Sequence, residues 1–208
     1  MTQFFIGGQP AIDFLNTYYQ GSVETLESGR DLLTWLVGAG LIDEAESTRV
    51  MRRLGAKVLD ETAAEARRVR EWLREWLTRW RQAPNEDYSE ELAALNRLMG
   101  RDAPRSEVVV TDDGLKIVER WHLASADSII ALIATCEAMS ALIESALVAS
   151  HVASLITEES PDLLKTCAGP DCTLWFVDRT KAHRRVFCSP TTCGNRAKVA
   201  AFRQRQRE

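Results

Sequence analysis

Cys167-Ala-Gly-Pro-Asp-Cys172 is followed, after fifteen residues, by Cys188-Ser-Pro-Thr-Thr-Cys193. The two sequences share a C-x4-C spacing, and each has a proline between its cysteines. Two short chelating loops of this kind supply four thiolate ligands for tetrahedral zinc at low entropic cost. The spacing therefore predicts one structural Zn²⁺ ion bound by these four cysteines.

Two disulfides are the alternative use of the same cysteines. Disulfides suit secreted proteins, whereas residues 1–10 lack the basic segment, the long apolar core and the cleavage site of a signal peptide. A fifth cysteine, Cys136, would stay unpaired within an apolar helical pattern, which is ordinary in a reduced cytosolic chain. These features favour zinc and predict a cytoplasmic protein.

Hydrophobic periodicity predicts that the rest of the chain is mainly α-helical. Between positions 60 and 82, apolar residues recur at steps of three and four, which is typical of an amphipathic helix. This stripe comprises Ala66, Val69, Leu73, Trp76 and Trp80. We expect the stripe to pack in the core rather than to line a ligand pocket.

Capping residues predict where other helices begin. Pro10 opens a first helix, Ser28 precedes a second and Asp43 a third, and a further helix runs from Ser89 to Met99. All of these signals lie N-terminal to the cysteine pairs, so they predict a helical N-terminal domain.

A β-hairpin and a long helix complete the predicted N-terminal domain. Asp112-Asp113-Gly114 separates two β-rich runs, 107–111 and 115–119, and Asp-Gly tolerates the positive φ of a tight turn. An apolar helical pattern then extends from about 125 to 157. We expect a helical domain over 1–160 and a zinc module over 161–208. No uncharged apolar stretch of about 18 residues occurs, which argues against a membrane span.

The zinc module is predicted to follow a treble-clef-like plan of knuckle, β-hairpin and helix. Residues 173–177 and 185–188 have the composition of two paired strands, and the chain turns helical from about Thr192. The first turn of that helix donates Cys193, where the helix N-terminus stabilises the thiolate charge.

The helix after Cys193 is predicted to have an apolar side and a basic side. Val199 and Phe202 are three residues apart and are expected to pack against Trp175 or Phe176. On an ideal helix three arginines fall within about 40° of one another and form a basic stripe. The stripe comprises Arg196, Arg203 and Arg207.

Charge is divided unevenly along the chain. Residues 161–208 contain ten Lys and Arg against four Asp and Glu, whereas residues 1–160 contain sixteen against twenty-six. A basic module attached to an acidic body suggests that the module faces a polyanion. A solvated surface that happens to be basic is the alternative interpretation.

Several motifs resemble known bacterial domains. Cys193-Gly-Asn-Arg196, with the paired cysteines, Phe176-x-Asp178-Arg179 and Arg184-Arg185, resembles the CGNR zinc finger. Gly7-Gly8 followed by the sequence Ile12-Asp-Phe-Leu-Asn-Thr17 resembles the opening of the ABATE domain that accompanies this finger. The resemblance implies a stress-related transcription regulator or another DNA- or RNA-binding protein, with zinc on the four cysteines.

The leading hypothesis is a transcription regulator whose basic zinc finger binds nucleic acid, with DNA favoured over RNA. Guanidinium groups at helical spacing match backbone phosphate oxygens, and Asn195 could read adenine or brace the second knuckle. The helical body would act as a sensor or dimerisation unit, which leaves a homodimer and a small-molecule effector open. The candidate nucleic-acid contacts are Arg179, Arg184, Arg185, Asn195, Arg196, Lys198, Arg203 and Arg207.

Two other functional classes compete with this hypothesis. A zinc-stabilised protein-interaction module is the alternative, because the opposite charges of the two halves permit docking on a protein surface. An enzyme is disfavoured, because four thiolates fill the zinc coordination shell and leave no position for water. His122, His151 and His183 are far apart in sequence and form no recognisable catalytic constellation.

Overall fold

The computed structural model describes residue 5 and residues 10–103, 105–111, 114–135 and 160–206. These residues are mainly helical, with small antiparallel strand pairs and a C-terminal cysteine cluster, which confirms the predicted fold class. The chain forms two compact units. The first combines residues 1–26, 69–86 and 153–208, and the second combines residues 27–68 and 87–152.

Helix starts in the second unit follow the capping signals. Helix α2 (Gly29–Gly38) begins after Ser28, whose side chain and that of Asp31 form a capping box. Helix α3 (Glu44–Gln82) begins after Asp43, whose carboxylate accepts the Glu46 N–H at 2.6 Å. Two helices were predicted between 43 and 82, and α3 indeed consists of two helical segments that meet at Gly55, where φ is 75° and ψ is 165°.

The remaining elements of the second unit also match the sequence patterns. Helix α4 covers Ser89–Met99, and strand β3 (Arg105–Thr111) pairs antiparallel with strand β4 (Gly114–Arg120). Helix α5 covers Ala126–Thr135. The later part of the predicted long helix, with Cys136 and His151, lies outside the described residues. No helix among the described residues combines the length and apolar character needed to cross a membrane.

The first unit surrounds its core with short N-terminal elements and the second part of α3. Helix α1 covers Pro10–Leu15, and strands β1 (Tyr18–Tyr19) and β2 (Val23–Glu24) form a small hairpin. The predicted apolar stripe of α3 packs as expected, since Leu73 and Trp76 are at most 2% exposed.

A buried arginine joins α3 to this N-terminal hairpin. The Arg70 guanidinium is 2% exposed and donates to both carboxylate oxygens of Glu24, at 2.8 and 2.6 Å, and to the Thr17 hydroxyl at 2.9 Å. Burial opposes its charge, but hydrogen bonds and attraction from Glu24 and Glu71 outweigh burial and raise the pKa of Arg70. The charged pair is therefore part of the folded core.

The zinc module contains strand β5 (Leu164–Thr166), strand β6 (Trp175–Val177) and helix α6 (Asn195–Arg205). The prediction that 185–188 pairs with the strand after the first knuckle is wrong, because β6 pairs antiparallel with β5. The Arg185 N–H is instead bound by the Asp178 carboxylate, and the Cys188 N–H by the Cys167 sulfur. These side-chain acceptors occupy backbone donors that a ladder would use.

The predicted packing of α6 on the strand is also wrong. Val199 and Phe202 are 48% and 55% exposed. The strand residues have other partners: the Arg81 guanidinium lies over the Trp175 ring, and the Arg185 guanidinium lies over the Phe176 ring. No residue of α6 is buried, so this helix presents both its apolar and its basic side chains to solvent.

Candidate metal centre

Four cysteine sulfurs converge in the zinc module, as the sequence predicted. All four lie within 4.8 Å of one another. The Cys188 sulfur is 3.8 Å from that of Cys172 and 3.6 Å from that of Cys193. These separations suit four ligands around one tetrahedral ion and are far longer than a disulfide bond.

Each cysteine pair is held by a short turn. In the first pair, the Gly169 N–H points to the Cys167 sulfur at 3.4 Å. A Cβ at Gly169 would lie 3.3 Å from the Cys193 sulfur, so a side chain there would crowd the site. In the second pair, a single π-helical turn over Pro190–Gly194 places Cys193 directly before α6. The helix therefore donates the fourth ligand from its N-terminal end.

The ionisation of the cysteines depends on burial and on the groups around each sulfur. Burial works against the Cys167 thiolate, but the N–H groups of Cys188 and Gly169 outweigh it and lower the pKa of Cys167. Burial raises the pKa of Cys172 to about 11 and, together with neighbouring sulfurs, raises the pKa of Cys188 well above its usual value. Four thiolates at this spacing repel one another, and a cation bound between them would offset that repulsion.

The cluster fits one structural zinc ion. Zn²⁺ would supply the positive charge that stabilises the four thiolates, and thiolates are the ligands it prefers at closed structural sites. The sulfurs belong to a mostly buried cluster that also includes Leu174 and Phe176. With four sulfur ligands, the ion organises the fold around it.

A buried ion pair shapes the loop between the two cysteine pairs. The Asp178 carboxylate is fully buried and accepts the Lys165 ammonium at 2.6 Å, the Thr180 hydroxyl at 2.6 Å and the Arg185 N–H at 2.8 Å. Burial would raise the pKa of Asp178, but these donors outweigh it and hold the pKa well below its usual value. The carboxylate thus stays charged and fixes residues 178–185.

Arg185 braces the second cysteine pair from the same loop. Its guanidinium lies 4.5 Å from the Phe176 ring centroid and donates to the backbone carbonyls of Phe187, at 2.9 Å, and Cys188. Its side chain is half-buried by these contacts. Arg185 therefore acts within the module by ordering the backbone beside a zinc ligand.

The N-terminal segment binds the edge of strand β6. The Asn16 side chain is 1% exposed; its amide donates to the Trp175 carbonyl at 3.0 Å and accepts the Trp175 N–H at 2.8 Å. The Gln20 N–H donates to the Thr173 hydroxyl at 2.7 Å, and Tyr19 packs against the cysteine cluster. The motif that the sequence linked to a second domain is thus in direct contact with the zinc module.

Two family models match the chain over ranges consistent with this architecture. A model described as "CGNR zinc finger" matches residues 164–206, which contain the four cysteines. A model described as "ABATE: Putative stress-induced transcription regulator" matches residues 8–159, which is most of the chain. The chain belongs to the ABATE family. Comparison with curated proteins finds no match for it.

The predicted nucleic-acid contacts of this ABATE protein fall into two groups. Arg185 is engaged inside the module, and the Asn195 amide donates to the Thr191 carbonyl at 2.9 Å, which is the bracing role considered for it. Arg207 lies outside the described residues. The remaining candidates are exposed on the zinc module: Arg179, Arg184, Arg196, Lys198 and Arg203. Their contact with nucleic acid stays a prediction.

Sequence reasoning assigned no role to three residues that organise the site. Lys165 and Asp178 form the buried pair, and Arg81 reaches the Trp175 ring from helix α3. An aspartate directly before a run rich in Lys and Arg was a usable signal for Asp178. Nothing near Arg81 in the sequence distinguishes it from the other arginines of α3.

Replacing Asn16 by alanine is expected to destabilise the ABATE protein by about 2–4 kcal/mol, because the buried Trp175 N–H and carbonyl would each lose a partner. The free energy of unfolding from urea denaturation measures the loss. The matched variant Asn16→Asp keeps an acceptor for the N–H but sets a carboxylate against the carbonyl, so it should be no more stable than Asn16→Ala. A change below about 0.5 kcal/mol in Asn16→Ala would contradict this role.

Proposed function

We propose that this protein is a transcription regulator that binds duplex DNA through the basic surface of its zinc finger. The observation that carries the proposal is the distribution of exposed charge. Within residues 160–206, seven cationic side chains are exposed but only two aspartates, Asp162 and Asp171, whereas Asp178 is buried and paired. The seven cations are Arg179, Lys181, Arg184, Arg196, Lys198, Arg203 and Arg205.

The chemistry of these side chains suits the DNA backbone. Lys and Arg neutralise phosphates and release counterions, which gives affinity that depends steeply on salt. Such contacts set register but do not choose sequence. In this proposal the zinc ion and the Asp178 network hold the cations in fixed positions. The helical domain serves as sensor or dimerisation unit, and the sulfur-saturated metal has no catalytic role.

Salt-dependent binding to duplex DNA tests the proposal. The double variant Arg196→Gln/Arg203→Gln should make the negative slope of log K against log salt shallower by about 2, because each neutralised phosphate contributes about 0.9 to its magnitude. Fluorescence anisotropy of a labelled random-sequence duplex measures the slope. The control Arg52→Gln/Arg53→Gln removes two exposed cations of α3 instead and should leave the slope unchanged. Equal slopes for both double variants would exclude α6 as the binding surface.

A protein-interaction module is the second candidate, and the exposed apolar side of α6 favours it. Val199 and Phe202, together with the half-exposed Val186, offer apolar contact area beside the basic side chains. Val199→Ser/Phe202→Ser should abolish a protein complex seen by size exclusion and crosslinking while leaving DNA affinity intact. The transcription-regulator proposal would be favoured if the arginine variants lose DNA binding and the wild type forms no protein complex.

A further inference from the structure

A basic groove of about 430 Å³ lies beside the loop that follows Asp178. Cationic side chains and one histidine line it, and none of the described residues that line it is acidic. These side chains are Arg81, Lys165, His183, Arg184 and Arg185. Arg81 comes from helix α3, whereas the others belong to the zinc module. The groove therefore contains residues from both family-model ranges, 8–159 and 164–206, within one compact unit.

Two of the cations hold the groove together. The Lys165 ammonium donates to the Asp178 carboxylate at 2.6 Å and to the His183 carbonyl at 2.7 Å. The Arg185 guanidinium is bound to the carbonyls of the second knuckle, as described above. Their hydrogen bonds fix the loop, and their charge offsets the buried carboxylate behind it.

The other two cations can receive a ligand. Neither Arg81 nor Arg184 forms an ion pair with any residue in the described part of the chain. Arg184 is exposed on the loop that Asp178 fixes. Two guanidinium groups without a carboxylate, on walls of one concave surface, are suited to an oxyanion.

Arg81 is held in position before any ligand arrives. Its guanidinium lies 5.2 Å from the Trp175 ring centroid, and Trp175 is itself fixed by Asn16. An arginine stacked on an aromatic face keeps the N–H groups at its edge available for hydrogen bonds. Such preorganisation lowers the ordering cost of binding.

We infer that this groove binds a phosphate group between Arg81 and Arg184, so the helical segment contributes a contact to the ligand surface of the finger. Arginine donors match phosphate oxygens bidentately. We take the phosphate to be one of the nucleic-acid backbone, and this part of the inference rests on the function proposed above. A free phosphate offers the same chemistry and is distinguished by the second experiment below.

Binding of zinc-loaded full-length protein to duplex DNA is the first experiment. Arg81→Gln should reduce the magnitude of the salt slope by about 1 and weaken binding about tenfold at 0.1 M salt. Arg184→Gln should have the same effects. Arg68→Gln, at an exposed arginine of the same helix, should match the wild type. Arg81→Lys keeps the charge and should keep the slope, but it loses the bidentate guanidinium contact. Zinc content is measured in every variant.

The outcomes separate this inference from the proposed function. If the wild type binds DNA and Arg81→Gln shows the same slope and affinity, the groove inference is overturned and the proposed function stands. If the wild type binds no duplex, the proposed function fails, and calorimetric titration with inorganic phosphate decides the groove. Saturable phosphate binding that Arg81→Gln abolishes supports a free-phosphate site; no binding by the wild type overturns the inference.

Discussion

Cys188→Ser is expected to remove the zinc ion and unfold the module over residues 164–206. The Cys188 sulfur is buried within 4 Å of two other ligand sulfurs, and its backbone N–H is bound to a third. Binding of structural zinc supplies about 10–16 kcal/mol of folding free energy in modules of this size. Elemental analysis should fall from one zinc per chain to none, and amide protection in β5 and β6 should be lost.

The fifth cysteine provides the control for this experiment. Cys136→Ser should keep one zinc ion per chain, because the sulfurs of Cys167, Cys172, Cys188 and Cys193 already supply the four ligands of a tetrahedral ion. Thiol titration adds an independent measurement: four protected thiols should become reactive when a chelator removes the metal. Two disulfides would leave those thiols unreactive after chelation. Stoichiometric zinc in Cys188→Ser would contradict the four-ligand site.

Arg70→Met is expected to destabilise the fold by about 3–5 kcal/mol. The substitution removes the guanidinium that neutralises the Glu24 carboxylate, which then keeps the Leu26 N–H as a donor, and it leaves the buried Thr17 hydroxyl without the Arg70 N–H. Breaking a buried ion pair from one side costs this much because the remaining charge is uncompensated. Urea denaturation followed by tryptophan fluorescence measures the loss.

The double variant Arg70→Met/Glu24→Leu shows whether the loss comes from the unpaired charge. Replacing both partners with apolar residues removes that charge, so the double variant should be more stable than Arg70→Met. The control Arg68→Met changes an exposed arginine of the same helix and should cost less than about 0.5 kcal/mol. A loss below 1 kcal/mol in Arg70→Met would show that the pair is not a core element.

Local signals in the sequence were enough to predict most helices, the hairpin and the zinc ligands. The capping box at Ser28, the Asp-Gly hairpin and the four cysteines all depend on residues close together in the chain. Each has its own short-range chemistry, which the rest of the fold does not override. The apolar stripe of α3 succeeded for the same reason, because its period matches the helix.

Contacts between distant segments could not be predicted in this way. Asn16 and Trp175 are 159 positions apart, and no pattern around either one shows that they bind each other. The guanidinium groups of Arg81 and Arg185 lie over the aromatic rings of β6. Val199 and Phe202, which were expected to pack on these rings, are exposed. The partner of β6 was likewise not evident from the sequence, because the Arg185 and Cys188 N–H groups are bound by the distant Asp178 and Cys167 side chains and β6 pairs with β5 instead.

The Asn16 hydrogen bonds limit how freely evolution or an engineer can recombine this protein. A finger transplanted alone onto another scaffold would expose the outer edge of Trp175, with a donor and an acceptor that its native neighbour satisfies. A working graft would carry residues 10–26 and the second part of α3 along with the cysteines. Residues 10–26, the second part of α3 and the zinc module therefore form one transferable unit.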